Sequence, residues 1–212
     1  MTMSRLAAAL IVACALAAQA STVRIQVRDG AGQPVSDAGV YAVPVAARVP
    51  EARGRTIAIE QVDREFVPYV TVLQAGTSVT FPNRDPIMHH VYSFSPAKSF
   101  EIKLYSGKPP NGILFDKPGV VTLGCNVHDW MIGYVLVVPT PYFAKTAADG
   151  EARLGDMPAG SYRIHAWHPQ QRAQAAPFTV ALEANAAETA SVTIDAVARK
   201  PKFKPPLDRL RY

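Results

Sequence analysis

Gly124-Cys125-Asn126-Val127-His128-Asp129-Trp130-Met131 places a thiol, an imidazole and a thioether within one short loop. Before it, Pro118-Gly119 turns the chain into Val120-Val121-Thr122-Leu123, a β-branched run that ends at the Cys. After it, Gly133-Tyr134-Val135-Leu136-Val137-Val138 reads as the returning strand. One hairpin end therefore offers three soft or borderline donors to a single ion, and such donors select a soft transition metal over a hard cation.

The same alternation recurs along the chain. TVRIQV, TIAIEQV, VTVLQAGTSVTF, HHVYSFS, GVVTLG, GYVLVV, YRIHAW, FTVALE and ASVTID all read as strands, with Asp-Gly, Ala-Gly, Pro-Gly and Pro-Asn between them. EANAAETA is the one stretch outside the N-terminus with a helical flavour, and the strands flanking it favour a turn. The expected class is all-β, built from sandwiches or small barrels.

A fourth donor comes from FPNRDPIMHHVYSF, where His89 and His90 precede the Cys on a different strand. Two imidazoles, a thiolate and a weak axial thioether are the blue-copper arrangement. At these residues the chain resembles the cupredoxins. Cys125-x2-His128-x2-Met131 followed by Gly133 is similar to the short ligand loop of amicyanin, and Asn83-x5-His89-His90-Val91 is similar to the segment that supplies the first histidine there. The resemblance implies a Greek-key β-sandwich with one type 1 copper ion held by His89, Cys125, His128 and Met131. Two positions depart from it. His90 stands where an Asn usually ties the two ligand loops together, which leaves His90 open as the ligand, and Gly124 stands where an aromatic often precedes the Cys. Met131 has a second reading as core filler. His165 and His168 in HAWHP have no Cys or carboxylate cluster beside them and read as structural.

The segments flanking this region carry another signature. VRIQVRDGAGQPVSDAGVYAVP resembles the opening of a carboxypeptidase-regulatory or transthyretin-like β-sandwich, and TAADGEARLGDMPAGSYRIHAWHP resembles its continuation. The expected layout is a leader at 1–20, a small sandwich from 21–50 plus 141–196, a cupredoxin domain at 51–140 inserted in or packed on it, and a basic tail at 197–212. Chains of this layout resemble those labelled methylamine utilisation proteins.

The N-terminal MTMSRLAAALIVACALAAQA has one Arg, a small apolar run and a closing Ala-Gln-Ala, so it reads as an export signal with the mature chain beginning near Ser21. Cys14 could alternatively sit in a lipoprotein cleavage box. With Cys14 removed, Cys125 has no partner for an intramolecular disulfide, and a free exported thiol is either buried and inert or metal-bound. The expected compartment is the periplasm.

An apolar content of 49% with 18% charged residues belongs to a core-forming chain. Six basic residues and one Asp lie in RKPKFKPPLDRLRY, so the high pI comes from the tail and the body is near neutral. No basic stripe with interleaved aromatics crosses the body, and nucleic-acid binding is not expected. Neither is a transmembrane segment in the mature chain.

Four protein ligands leave no open position for substrate, so the sequence reading is of a protein that is not an enzyme. The expected function is an exported one-electron carrier whose partners are periplasmic redox proteins such as a dehydrogenase or cytochrome c. Copper binding or delivery is the alternative, and a sandwich adhesion module with an incidental metal is a third.

Overall fold

Alternation sets the first strand. In β1 (Ser21–Arg28), Val23, Ile25 and Val27 are fully buried while Arg24 and Arg28 face solvent. Burying each such side chain contributes about 1.5–3 kcal/mol. The computed structural model describes residues 20–49, 52, 54–109 and 111–196. The expected leader, apart from Ala20, and the expected basic tail lie outside the described residues, as does Cys14.

After β1 comes β2 (Gly39–Pro44). The middle of the chain supplies β3 (Thr56–Ala58), β4 (Glu60–Val62), β5 (Glu65–Val67), β6 (Val70–Gln74) and β7 (Thr77–Thr80). It continues with β8 (His89–Ser95), β9 (Lys98–Tyr105), β10 (Ile113–Phe115), β11 (Gly119–Gly124) and β12 (Ile132–Val138). The last strands are β13 (Phe143–Lys145), β14 (Glu151–Met157), β15 (Gly160–Trp167), β16 (Phe178–Leu182) and β17 (Ala187–Thr193). No helix occurs among the described residues, and the chain is all-β.

Strand pairing separates the middle of the chain from its flanks. β1 lies between β14, antiparallel, and β17, parallel, while β2 lies between β13 and β15 with β16 at the edge. The middle strands form a five-stranded sheet in the order β6-β12-β11-β8-β9, a three-stranded sheet β10-β7-β3, and the hairpin β4-β5. Two hydrophobic clusters follow the same division. One gathers Val23, Ile25, Val27, Val40, Leu154, Ile164 and Ile194, and the other gathers Phe66, Phe81, Val91, Phe115, Leu123, Val135 and Val137.

The two groups of strands meet at a glycine. A β-carbon on Gly39 of β2 would lie 2.5 Å from Leu136 Cδ2 and 3.1 Å from Val72 Cγ2, so the absence of a side chain permits the close approach of β2 to the five-stranded sheet. Nearby, the Tyr134 and Trp167 rings lie 6.0 Å apart across the same junction.

Candidate metal centre

β8 and β11 are neighbours in the five-stranded sheet, with Gly124 opposite Tyr92. That register brings the start of β8, at His89, beside the end of β11, where Cys125 follows. Beyond the Cys the chain turns through a bond from the Met131 N–H to the His128 carbonyl, 2.9 Å, and enters β12. This folds His128 back over the Cys.

His89 Nδ1 lies 3.7 Å from Cys125 Sγ and His128 Nδ1 lies 3.6 Å from it. The three ligand atoms all lie within 4.8 Å of one another, and the two imidazole rings are 4.9 Å apart. All three side chains are buried, His89 completely. Met131 is buried in the same apolar cluster as Cys125, and both line a groove with Tyr92, Phe94, Thr122 and Gly124. Three of the four residues expected from sequence therefore converge through their donor atoms, and the fourth packs in the adjoining core.

Electrostatics favour a thiolate. Burial pushes the Cys125 thiol up, but the His89 hydrogen bond and the backbone amides of His90 and Val127 outweigh it and lower its pKa. Burial likewise opposes charge on His89, yet hydrogen bonds to Cys125 and Asp85, together with their charges, raise it above its ordinary value. His128 is lowered, first by burial and then by the positive fields of His89 and Arg64.

The doublet divides cleanly. His89 faces Cys125, while the ring of His90 turns away and places Nε2 3.0 Å from Glu101 Oε1 on the neighbouring strand β9. Asn83 holds the loop leading to the doublet, with Nδ2 donating to the carbonyls of Ile87 (2.8 Å) and Tyr105 (3.1 Å). His165 stacks on Tyr41, rings 4.7 Å apart, and His168 Nδ1 accepts the Gln170 N–H at 3.2 Å; neither joins the cluster.

One residue of the site was not anticipated. Asp85 Oδ2 lies 2.7 Å from His89 Nε2, behind the ring as seen from Cys125. The same carboxylate accepts the N–H groups of Asp63 (2.6 Å) and Arg64 (2.8 Å). Burial opposes ionisation, but the amides of Arg64 and Asp63 and the His89 contact hold the carboxyl below its usual range. Asn83 and Asp85 in PNRD suggest a turn in the sequence; the reach to residues 63 and 64 is non-local and leaves no sequence signal.

No family model matches the chain, and no curated protein matches it. Among solved structures it is similar to a copper-containing nitrite reductase from Thermus scotoductus SA-01, at 23% identity and a TM-score of 0.38, over 45% of this chain and 25% of that one. It is also similar to a purple cupredoxin from Nitrosopumilus maritimus, at 23% identity and a TM-score of 0.34, over 40% of this chain and 99% of that one. An oxidised amicyanin variant matches at 17% identity and a TM-score of 0.35, over 46% of this chain and 99% of that one. The chain spans a quarter of the length of the nitrite reductase chain.

The nitrite reductase corrects one expectation. The sequence reading that the chain is not an enzyme is overturned by this likeness to a copper-containing enzyme. Closed ligation at one metal speaks only of that metal, and fold does not fix activity.

Proposed function

We propose that His89, Cys125, His128 and Met131 hold one copper ion of type 1, and that the protein is an exported one-electron carrier. The observation that carries this reading is the convergence of two Nδ1 atoms on one thiol, at 3.7 and 3.6 Å, in a buried pocket built from adjoining strands. The donor chemistry fits, because one thiolate with two imidazoles and a nearby thioether suits copper in both oxidation states. Bound copper supplies a Cu(II)/Cu(I) couple.

The protein's own contribution is to keep the ligands fixed. His89 and Cys125 sit at the ends of adjacent strands, and His128 is locked by the Met131 turn, so the donor atoms are held before a metal arrives. Such a frame lowers the rearrangement that accompanies electron transfer. The export signal places the mature protein in the periplasm in this reading, where a dehydrogenase and a cytochrome c are the expected partners. The flanking strands form the carboxypeptidase-regulatory-like sandwich on which the copper domain is carried.

The test is to load the mature chain with Cu(II), record its visible spectrum, and cycle it electrochemically against a Cu(I) chelator. Intense thiolate-to-copper charge transfer, abolished by Cys125→Ser, with the metal retained over many turnovers, is the expected result. Ordinary tetragonal copper without that band would refute the type 1 assignment. Loss of metal to the chelator on each reduction would make this a delivery protein instead.

A further inference from the structure

The hairpin β4-β5 turns through Asp63 and Arg64, whose φ angles of 51° and 59° are left-handed although neither residue is glycine. Their consecutive N–H groups converge on a single carboxylate, Asp85, whose side chain is 10% exposed. The oxygen that receives the Arg64 N–H is also the one 2.7 Å from His89 Nε2. An ionised carboxylate can only accept, so Nε2 of His89 carries a proton, and the neutral form of the ring, the one able to ligate a metal, is the tautomer with its Nδ1 lone pair on the Cys125 side.

We propose that Asp85 is the positioning residue of the metal centre: it fixes the tautomer and orientation of His89 and, by placing an anion behind that ring, sets the reduction potential. The proposal rests on the copper reading for its second half only. A carboxylate on the outer nitrogen raises the basicity of a ligating imidazole. The extra electron density favours Cu(II) over Cu(I), so Asp85 lowers the potential. Because the same carboxylate clasps the 63–64 turn, the hairpin and the ligand are held by one group.

The experiment compares the wild-type chain with Asp85→Asn and Asp85→Ala. In the metal-free proteins, 15N chemical shifts of the His89 ring report the tautomer without reference to copper. In the neutral ring, wild type is expected to show the Nε2–H tautomer alone, and Asp85→Ala a mixture of the two tautomers. In the copper-loaded proteins, Asp85→Asn is expected to change the Cu(II)/Cu(I) affinity ratio about tenfold, a rise in midpoint potential of about 59 mV. Asp85→Ala is expected to lose roughly 10–100-fold in copper affinity.

Thermal unfolding of the metal-free variants separates these effects from loss of the hairpin. An unchanged tautomer in Asp85→Ala, or an unchanged potential in Asp85→Asn, overturns the proposal. If wild type shows no thiolate–copper band while Asp85→Ala still scrambles the tautomer, the copper reading fails and the positioning role stands.

Discussion

The ring of Tyr92 lies over Gly124, so close that a β-carbon on the glycine would sit 2.7 Å from the Tyr92 Cζ. An aromatic side chain from β8 thus fills the space beside the residue before Cys125, where the resembled family often carries an aromatic on β11 itself. The departure at Gly124 is matched by its cross-strand partner, and the ring forms one wall of the groove beside Cys125.

Gly124→Leu is therefore expected to destabilise the fold by about 1–3 kcal/mol through overpacking. Combining it with Tyr92→Ala should recover at least half of that loss, measured by urea unfolding in a double-mutant cycle. Strict additivity of the two substitutions would show that the ring is not the obstruction.

The two histidines of the doublet should respond very differently to alanine. His89 Nδ1 is 3.7 Å from the thiol, whereas His90 Nε2 is directed to Glu101. His89→Ala is expected to lower copper affinity by more than the roughly 10–100-fold typical of a residue that only supports a ligand, and to remove the charge-transfer band. His90→Ala should leave the band in place. Equilibrium competition with a Cu(II) chelator measures both, and the reverse ranking would move the ligand one residue along.

Strands with a buried face were legible because period two is written into them. HHVYSFS coincides with β8, GVVTLG with β11, and YRIHAW falls within β15. The run VTVLQAGTSVTF looks like one β segment, but Gly76, at φ 94°, turns it into β6 and β7, which belong to different sheets. β9 escaped notice because it is an edge strand with no fully buried position, and exposed Leu104 beside exposed Lys103 breaks its alternation. β5, β10 and β13 are three residues each, too short to show a period, and TIAIEQV, which reads as one strand, holds β3 and β4 of two different sheets. The His89, Cys125 and His128 cluster was legible from residue type and spacing. Asp85 was not, because the amides that hold its carboxylate lie 21 and 22 residues away and only the folded hairpin brings them to it.

His168 gives the flank a pH dependence that does not involve the metal cluster. Burial lowers its pKa from the ordinary 6.5, with the Asp37 charge opposing weakly, and its Nδ1 accepts a backbone N–H as a neutral ring must. The folded protein then takes up the proton less readily than the unfolded chain. The stability this contributes is fully present above 6.5 and is lost as the pH falls from there towards the folded value. His165, also lowered by burial and then by Arg163, adds in the same direction. Urea unfolding between about pH 7.5 and pH 5 should show stability falling on acidification, with a shallower fall in His168→Gln. Equal slopes in the two proteins would mean that His168 binds its proton equally well folded and unfolded.

The pairing of β2 with β13 suggests that the flanking strands can close without the middle of the chain. Phe143 lies opposite Tyr41, and the Ala42 N–H donates to the Tyr142 carbonyl at 2.9 Å, so the points at which the chain leaves and re-enters this sheet are already joined. The buried residues of that cluster come from 23–42 and 152–194, with none from the middle. Replacing residues 51–140 with a short Gly-rich linker is expected to leave a folded β protein, seen by dispersed amide resonances and a cooperative thermal transition. Its Tm should be lower than that of the parent, because the face around Gly39, Tyr41 and Trp167 loses its cover. Gly39→Val supplies the internal control. In the full chain the new side chain collides with Leu136 and Val72, and the cost is expected to be about 1–3 kcal/mol. In the excised chain both neighbours are gone, so the same substitution should cost little, and the β propensity of Val should make it slightly favourable. An excised chain that fails to fold would show that the two groups of strands depend on one another. One that folds but pays the full cost of Gly39→Val would place the clash within the flanking strands themselves.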